Sequence, residues 1–143
     1  MSFRPIKDII RNQQLLVAPG TMSVSEAAAL MKKNRVGAIM VMKQQQLAGI
    51  FTERDALFRV LAEHRDPKTT RLEQVMSPSP RTITSSRPFG HALHMMYEGG
   101  FRHVPVVDRG KLVGCVSARD ALSSEMFEFE TEVEQREHIA EIL

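Results

Sequence analysis

Apolar and polar positions in the first half of the chain predict the order strand, helix, strand, strand, helix. Short apolar runs bounded by turn residues are typical of buried strands, and an alanine-rich stretch opened by a serine is typical of a helix. The predicted segments are, in that order, Leu15–Ala18, Ser23 or Ser25 to Lys33, Ala38–Met42, Leu47–Phe51 and Thr52 to about Glu63. The short polar stretch Gln44–Gln46 joins the last two strands, so we expect these strands to be antiparallel.

The second half repeats this order with stronger turn signals. Gly99 and Gly100 end its first helix, and the triplet Asp108–Gly110 turns the chain between its last two strands. The predicted segments are Thr82–Ile83, Pro88 to Glu98, Val104–Val107, Lys111–Val116 and a final helix that follows Ser117. Strand, helix, strand, strand, helix, twice, predicts an α/β fold in which a small sheet is covered by helices on one side.

One seven-residue motif occurs twice and shows that the two halves are related. Gly49–Asp55 (GIFTERD) recurs 65 positions later as Gly114–Asp120 (GCVSARD), and both copies continue with Ala-Leu. At the same offset, identical residues coincide elsewhere: Ala27 with Ala92, Met31 with Met96, Val41 with Val106 and Leu47 with Leu112. The chain is therefore an internal duplication of one small unit.

The regions between and after the repeats suggest the domain boundaries. A polar link from His64 to Leu72 joins the units, and Leu72–Met76 is predicted to form a short turn of helix. We assign residues 1–66 to the first unit with its N-terminal segment, 67–125 to the second unit, and 126–143 to a charged helical tail. Apolar tail residues are expected to need a packing partner, either the body of the protein or another chain; they are Met126, Phe129, Val133 and Ile142.

Composition and charge exclude several classes of protein. The 143 residues are 43% hydrophobic and 25% charged, which is ordinary for a globular protein with a sizeable core. A net charge of +2 is too small to indicate a nucleic-acid partner. No apolar run approaches the roughly 18 residues of a membrane span, and Met1–Asp8 lacks the apolar core of a secretory signal. We therefore expect neither nucleic acid nor membrane as a partner, and a cytoplasmic location.

The chain offers no catalytic or metal-binding set of residues. It lacks a nucleophile with a nearby base, a phosphate-binding P-loop and a dinucleotide-binding glycine motif, so we predict no enzyme activity, no catalytic residue and no catalytic cofactor. His91 and His94 stand three residues apart on a helix but have no third ligand at suitable spacing, so no metal site is predicted. The single cysteine, Cys115, lies in an apolar run and is predicted to be a buried, inert thiol.

The duplicated motif allows two interpretations, which are compatible. A hydroxyl residue followed three positions later by an acid is a capping box, which satisfies the free N–H groups of a helix N-terminus. Capping explains Thr52 with Asp55 and Ser117 with Asp120, but it does not require an arginine between them. A helix N-terminus with spare N–H groups is also a site for an anion. The repeated hydroxyl, arginine and carboxylate therefore point to a ligand site in each unit.

The repeat resembles the cystathionine-beta-synthase (CBS) domain family, and in particular a stand-alone CBS pair, or Bateman module. The resemblance is carried by the two copies of the motif and by the strand Val104–Asp108 (VPVVD), and it covers about residues 5 to 125. The first unit departs from the pattern, since its Ile39–Met42 (IMVM) has no proline and no following aspartate. The resemblance implies an α/β (α+β) fold in which two tandem β-α-β-β-α units pack about a pseudo-two-fold axis.

The resemblance also implies two clefts that hold adenosine-containing ligands: AMP, ADP, ATP, sometimes NAD or S-adenosylmethionine, with AMP the expected ligand here. Asp55 and Asp120 would accept hydrogen bonds from the ribose hydroxyls, while Thr52 and Ser117 would face phosphate. A ribose diol offers two donors at the spacing of a carboxylate's two oxygens, so the chemistry fits. The basic residues expected near the phosphate are Arg54, Arg119 and Arg102. The expected adenine walls are Val17, Ala18, Ala38, Ile39 and Met40 in one cleft, and Thr82, Ile83, His103, Val104 and Pro105 in the other.

Two functions remain open at this point. The first is a regulatory module that senses adenine nucleotides and changes its shape or its affinity for a separate effector protein, since a stand-alone pair has no fused output domain. The second is a structural dimerisation or scaffold module whose clefts stay empty. Isolated pairs of the family commonly associate into flat discs, so a homodimer is expected under either hypothesis.

Overall fold

The computed structural model describes residues 4–142, without the side chains of residues 124–128. The strands are β1 (Val17–Pro19), β2 (Ala38–Lys43), β3 (Gln46–Thr52), β4 (Ser77–Pro78), β5 (His103–Asp108) and β6 (Lys111–Ser117). The helices are α1 (Ile6–Ile10), α2 (Val24–Asn34), α3 (Glu53–Asp55), α4 (Leu72–Val75), α5 (Phe89–Gly99) and α6 (Arg119–Ile142). Helix α3 continues directly into a π-helical segment, Ala56–Leu61.

The first unit is built on a sheet of order β1-β2-β3-β4. Strand β1 is parallel to β2, while β2 and β3 form the expected antiparallel hairpin. The hairpin turn is Gln44-Gln45, and both residues have positive φ (52° and 65°). Two consecutive positive φ angles match the right-handed twist of the strands they join, although they are usually supplied by Asn and Gly.

The second unit contains the antiparallel hairpin β5-β6, whose turn is Arg109-Gly110. The predicted strand at Thr82–Ile83 is wrong as a strand, since Ile83 makes only one isolated parallel bridge, to Val106. Its N–H donates to the Pro105 carbonyl and its carbonyl accepts from the Val107 N–H (3.1 and 2.9 Å). The segment follows two prolines, Pro78 and Pro80, which have no N–H to donate to a longer ladder.

The helix ends are fixed by local hydrogen bonds. Ser23, rather than Ser25, caps α2, because its hydroxyl accepts from the Glu26 N–H at 3.1 Å. Helix α2 ends at Arg35 and α5 ends at Gly100, and both of these residues are left-handed (φ 54° and 71°). The expected stop at Gly100 is therefore confirmed.

Each unit is completed by a short helix that enters from elsewhere in the chain. Helix α1 packs on the second unit, where Ile6 is fully buried and the Ile6 N–H donates to the Arg87 carbonyl at 3.0 Å. Helix α4 packs on the first unit, where Leu72 is fully buried and its N–H donates to the Met22 carbonyl at 2.9 Å. We refer to α1 and α4 as the exchanged helices.

The buried side chains form one core per unit and a smaller cluster between the two. Phe51 and Ile39 belong to the first core, and Phe89 and Val104 to the second. The cluster between the units contains Ala38, Met40, Ile50 and Cys115. Cys115 is buried, as predicted, and burial raises the pKa of its thiol to about 12.

Helix α6 carries exposed apolar side chains on the isolated chain. Leu122, Phe129, Ile139 and Ile142 are between 56% and 70% exposed. Met126, which was also predicted to contribute to this surface, lies outside the described side chains. Within residues 4–142, no helix combines the length and apolarity that crossing a membrane requires.

Candidate functional site

Two open clefts of about 950 and 930 Å³ lie between the units. Each cleft combines a wall from one unit with the repeated motif of the other. The Asp120 cleft is lined by Leu15, Leu16, Val36, Gly37, Ala38 and Met40 of the first unit and by Ser117, Arg119 and Asp120 of the second. The Asp55 cleft is lined by Thr52, Arg54 and Asp55 of the first unit and by Pro80, Arg81 and Phe101 of the second.

In the Asp55 cleft, the carboxylate forms the capping box of α3. Asp55 Oδ2 accepts from the Thr52 N–H at 2.9 Å and from the Thr52 hydroxyl at 3.2 Å, while the Asp55 N–H donates back to that hydroxyl at 3.3 Å. The other oxygen, Oδ1, lies 3.6 Å from Arg59 Nε. Both oxygens of this buried carboxylate therefore already have partners.

In the Asp120 cleft, the equivalent carboxylate is half-buried and has fewer hydrogen-bond and ion-pair partners than Asp55. Asp120 Oδ2 accepts from the Ser117 N–H at 2.8 Å and is 3.5 Å from the Ser117 hydroxyl. In the part of the chain whose side chains are described, no cation lies within 4.0 Å of this carboxylate. Helix-terminus capping thus uses one oxygen of Asp120, and the other has no partner among the described hydrogen bonds and ion pairs.

The two motif arginines lie at the rims and make equivalent contacts. Arg54 Nη1 donates to the Gly100 carbonyl at 3.0 Å, and Arg119 Nη1 donates to the Arg35 carbonyl at 3.4 Å. Arg35 and Gly100 are the left-handed residues that end α2 and α5. Each motif arginine therefore contacts the end of a helix in the opposite unit, where a cation is favoured by the helix dipole.

The partition between the clefts contains Glu53, Arg102 and His103, which line both clefts. Burial lowers the pKa of His103 below its ordinary value of 6.5, against the opposing effect of the Glu53 and Asp120 carboxylates and with a further lowering by Arg102. His103 is therefore neutral at physiological pH. Arg102 and His103 correspond to Gly37 and Ala38 in the first repeat. The partition therefore breaks the pseudo-symmetry of the two clefts.

The structure places the predicted wall residues in different positions. Ala38 and Met40 line the Asp120 cleft, and His103 lines both clefts. Others lie outside the cleft linings: Ala18, Ile39, Ile83, Val104 and Pro105 are buried, and Val17 and Thr82 are exposed. Ile39 and Val104 are direct neighbours of lining residues on β2 and β5, and because side chains alternate along a strand they point into the cores of their own units.

Several lining residues were not predicted from the sequence. Leu15, Leu16, Val36 and Gly37 lie immediately before β1 or β2, at positions that pattern analysis assigns to strand starts or loops. Glu53 lies within the motif itself. Arg59 follows Asp55 by four residues on a helix, a spacing at which acid and base side chains meet, so this pair was detectable.

The arrangement suits a ligand with one apolar planar end, a diol and an anionic end. The walls before β1 and β2 are apolar, a carboxylate lies across the cleft, and basic side chains outnumber acidic ones. The Asp120 cleft carries four basic side chains (Lys32, Arg35, Arg102, Arg119) and two acidic ones (Glu53, Asp120). No further charged group is needed to hold a small anion there.

Known proteins with the same architecture were found by sequence and by structure. The CBS domain profile matches residues 6–62 and 72–126. YhcV of Bacillus subtilis, a CBS domain-containing protein, is 35% identical over 121 residues, which are 85% of this chain and 85% of YhcV. CBSCBSPB3 of Arabidopsis thaliana is 37% identical over 102 residues, which are 71% of this chain but only 18% of the plant protein.

Three solved structures are similar along most of their length. A protein with CBS domains from Burkholderia ambifaria is 30% identical, with a TM-score of 0.80 and coverage of 85% of this chain and 93% of that one. A CBS domain protein from Pyrobaculum aerophilum, complexed with AMP, is 26% identical (TM-score 0.74, coverage 82% and 89%). The CBS domain pair of protein MJ0100, in complex with 5′-methylthioadenosine and S-adenosyl-L-methionine, is 25% identical (TM-score 0.76, coverage 90% and 98%). With the duplicated fold, the clefts and these matches together, the chain belongs to the CBS domain family and contains a tandem CBS pair.

Proposed function

We propose that this CBS pair is a regulatory module that binds an adenosine-containing ligand, with AMP as the preferred one, and that it acts by binding rather than by catalysis. The observation that carries the proposal is the environment of the Asp120 carboxylate. One carboxylate oxygen of Asp120 is fixed by the Ser117 N–H, the other has no partner among the described contacts, and the residue lines a cleft with an apolar wall. The complexes of two structural neighbours with AMP and with sulfur-containing adenosine compounds support the ligand class.

Adenosine recognition divides between the two sides of the Asp120 cleft. The apolar residues Leu15, Leu16 and Val36 form the wall for the adenine ring, and the Asp120 carboxylate accepts from the ribose hydroxyls. Arg102 and Arg119 supply positive charge for a phosphate. ADP, ATP or NAD extends the same ligand outward, because the cleft is open to solvent.

The test compares AMP, adenosine and S-adenosylmethionine by calorimetry, after native mass spectrometry of the purified protein. Charge-assisted contacts favour AMP over adenosine by about tenfold or more. Asp120→Ala should weaken AMP binding by roughly thirtyfold, since it removes a charged acceptor worth about 2 kcal/mol. Asp108→Ala is the matched control, because Asp108 bonds Ser85 outside both clefts.

The proposal fails if no adenosine compound binds at millimolar concentration and no ligand copurifies. It also fails in its site assignment if Asp120→Ala binds AMP as well as the unmodified protein does. Such results would favour the second candidate function, a scaffold whose clefts stay empty.

Exposed apolar side chains on the helices after the two motifs favour self-association under both candidate functions, the regulatory module and the scaffold. Leu57, which lines the Asp55 cleft, and Leu61, which lines neither cleft, are 51% and 68% exposed, and Leu122, the repeat equivalent of Leu57 in the lining of the Asp120 cleft, is 60% exposed. Burying these side chains between two chains would remove apolar surface from water. The proposed assembly is a homodimer, which acts on a separate effector protein in the cytoplasm, where adenine nucleotides are present.

A further inference from the structure

Asp55 and Asp120 occupy equivalent positions but differ in one partner. Arg59 Nε lies 3.6 Å from Asp55 Oδ1. Arg4 contacts Asp120 at the backbone, where its Nη2 donates to the carbonyl at 3.4 Å and not to the carboxylate. Residues 124–128 contain no Lys, Arg or His, so the sequence offers Asp120 no counterpart of Arg59 there.

Arg59 is held in place from its other side. Its Nη1 donates to the Val75 carbonyl at 3.3 Å and to the Met76 carbonyl at 2.8 Å, at the C-terminus of α4. A guanidinium is planar and carries five donors, so one group can bond the end of a helix and a carboxylate together. The Asp55 side chain is 10% exposed and the Arg59 side chain is 49% exposed, so only the carboxylate side of this pair is shielded from water.

The ion pair uses the oxygen that a ribose would need. Asp55 Oδ2 already accepts two bonds from Thr52. A ribose diol placed against this carboxylate would use both oxygens, and Oδ1 is paired with Arg59, which itself lines the Asp55 cleft. Ligand entry therefore requires the exchange of a charge-assisted contact, whereas Asp120 requires no such exchange.

We propose that Arg59 is an intramolecular competitor for ribose at Asp55, so that the two clefts bind adenosine ligands with unequal affinity and the Asp120 cleft fills first. The inference rests on the proposed function. Because Arg59 also bonds the end of α4, binding of a ligand in the Asp55 cleft would loosen the contact between the π-helical segment and α4. Arg59 is thus a specificity-determining residue for the Asp55 cleft and connects the occupancy of this cleft to the end of the exchanged helix α4.

The decisive experiment works with the full chain in an Asp120→Ala background, in which the Asp120 cleft is weakened by roughly thirtyfold and the Asp55 cleft contributes more of the measured binding. Calorimetric titration with AMP and with adenosine then compares Asp120→Ala alone, Asp120→Ala with Arg59→Met, and Asp120→Ala with Arg54→Met. Arg59→Met keeps the aliphatic stem and removes the guanidinium, and it should tighten binding about tenfold (about 1.4 kcal/mol). Arg54→Met removes the same charge from the same cleft and should weaken AMP binding, since Arg54 makes no contact with Asp55 in the described hydrogen bonds.

A ligand-independent measurement separates this inference from the proposed function. A double-mutant cycle between Asp55→Asn and Arg59→Met, read by urea unfolding, should show favourable coupling between the two side chains. Zero coupling overturns the inference, as does equal affinity of both clefts in the unmodified chain or no tightening by Arg59→Met. If coupling is present but no variant binds any adenosine compound, the proposed function fails, and Arg59 is overturned as a competitor and remains a structural bridge.

Discussion

The side chain of Gln13 pairs with the backbone of Cys115 in the way that a neighbouring strand would. Gln13 Nε2 donates to the Cys115 carbonyl at 2.7 Å, and the Cys115 N–H donates to Gln13 Oε1 at 2.9 Å. In the first unit, the corresponding edge of β3 pairs with a true strand, β4. A primary amide presents an N–H donor and a C=O acceptor side by side, as a peptide group does, so a single side chain closes the edge of β6.

Replacing Gln13 by Ala should therefore destabilise the protein by about 1–3 kcal/mol, because two backbone groups of a buried residue lose their partners. Urea unfolding measures the change in the free energy of unfolding. Gln14→Ala, at the exposed neighbouring position, is the control and should stay within about 0.5 kcal/mol of the unmodified protein. Equal losses for both variants would contradict the pairing.

The positive φ of Gln45 in the Gln44-Gln45 turn leads us to expect that glycine at this position stabilises the protein. Gln45 has φ 65°, a conformation that costs a residue with a side chain about 1–2 kcal/mol relative to glycine. The equivalent position in the second hairpin is Gly110, at φ 77°. Gln45→Gly should raise the free energy of unfolding by about 0.5–1 kcal/mol, after the entropy cost of glycine.

The reverse substitution, Gly110→Ala, provides the control for the turn. It should destabilise the protein by a similar amount, since a Cβ at positive φ is strained although no atom lies within 4 Å of it. Thermal melts of both variants check the sign, and loss of stability in Gln45→Gly would refute the argument from backbone conformation.

Because of His103, we expect the free energy of unfolding to fall on mild acidification. Its pKa is lowered in the folded protein by burial, whereas the unfolded chain titrates near 6.5, so below that pH the unfolded state binds more protons than the folded state. Well above pH 6.5, His103 makes no pH-dependent contribution to the free energy of unfolding. As the pH falls through 6.5 toward the lowered pKa, His103 increasingly destabilises the folded protein. The slope is at most about 1.4 kcal/mol per pH unit for one proton.

The His103→Gln variant should lose part of this pH dependence between about pH 6.5 and the lowered value. His91→Gln is the matched control, because His91 is exposed on α5. Urea unfolding at several pH values makes the comparison, and an unchanged slope in His103→Gln would show that another group is responsible.

The proposed homodimer is tested at Leu61, which is 68% exposed and does not line either cleft. Leu61→Glu places a charge in the proposed interface and should shift the mass measured by light scattering from dimer to monomer at tens of micromolar. Tyr97→Glu, on α5 and 87% exposed, changes a comparable apolar surface elsewhere and should leave the dimer intact. A monomeric unmodified protein, or a larger assembly insensitive to Leu61→Glu, would contradict the proposed interface.

Most of the fold was predictable because the repeat supplies two readings of the same pattern. The hairpins of β2 with β3 and β5 with β6 and the caps at Thr52 and Gly100 follow from local signals that act within a few residues. Helix α1 was not predicted. Its five residues have too little periodicity to indicate a helix, and Ile6 is buried in the second core, whose other buried residues lie more than seventy positions away.

The site was predictable in chemistry but less so in geometry. The paired aspartates stand out from the repeat, yet nothing local shows that each faces a wall from the opposite unit. The wall positions depend on how two sheets meet, which the alternation within one strand does not determine. The assignment of individual residues to ligand contacts stays a prediction, as do the boundaries at residues 66 and 125.

The exchanged helices have a consequence for proteolysis. The link His64–Thr69 is exposed throughout, so it is the natural place for a protease to cut. A cut there leaves Ile6, which completes the core of the second unit, on one fragment and Leu72, which completes the core of the first, on the other. Each fragment thus carries the helix that its partner needs, and the nicked protein should remain a single particle held by reciprocal complementation.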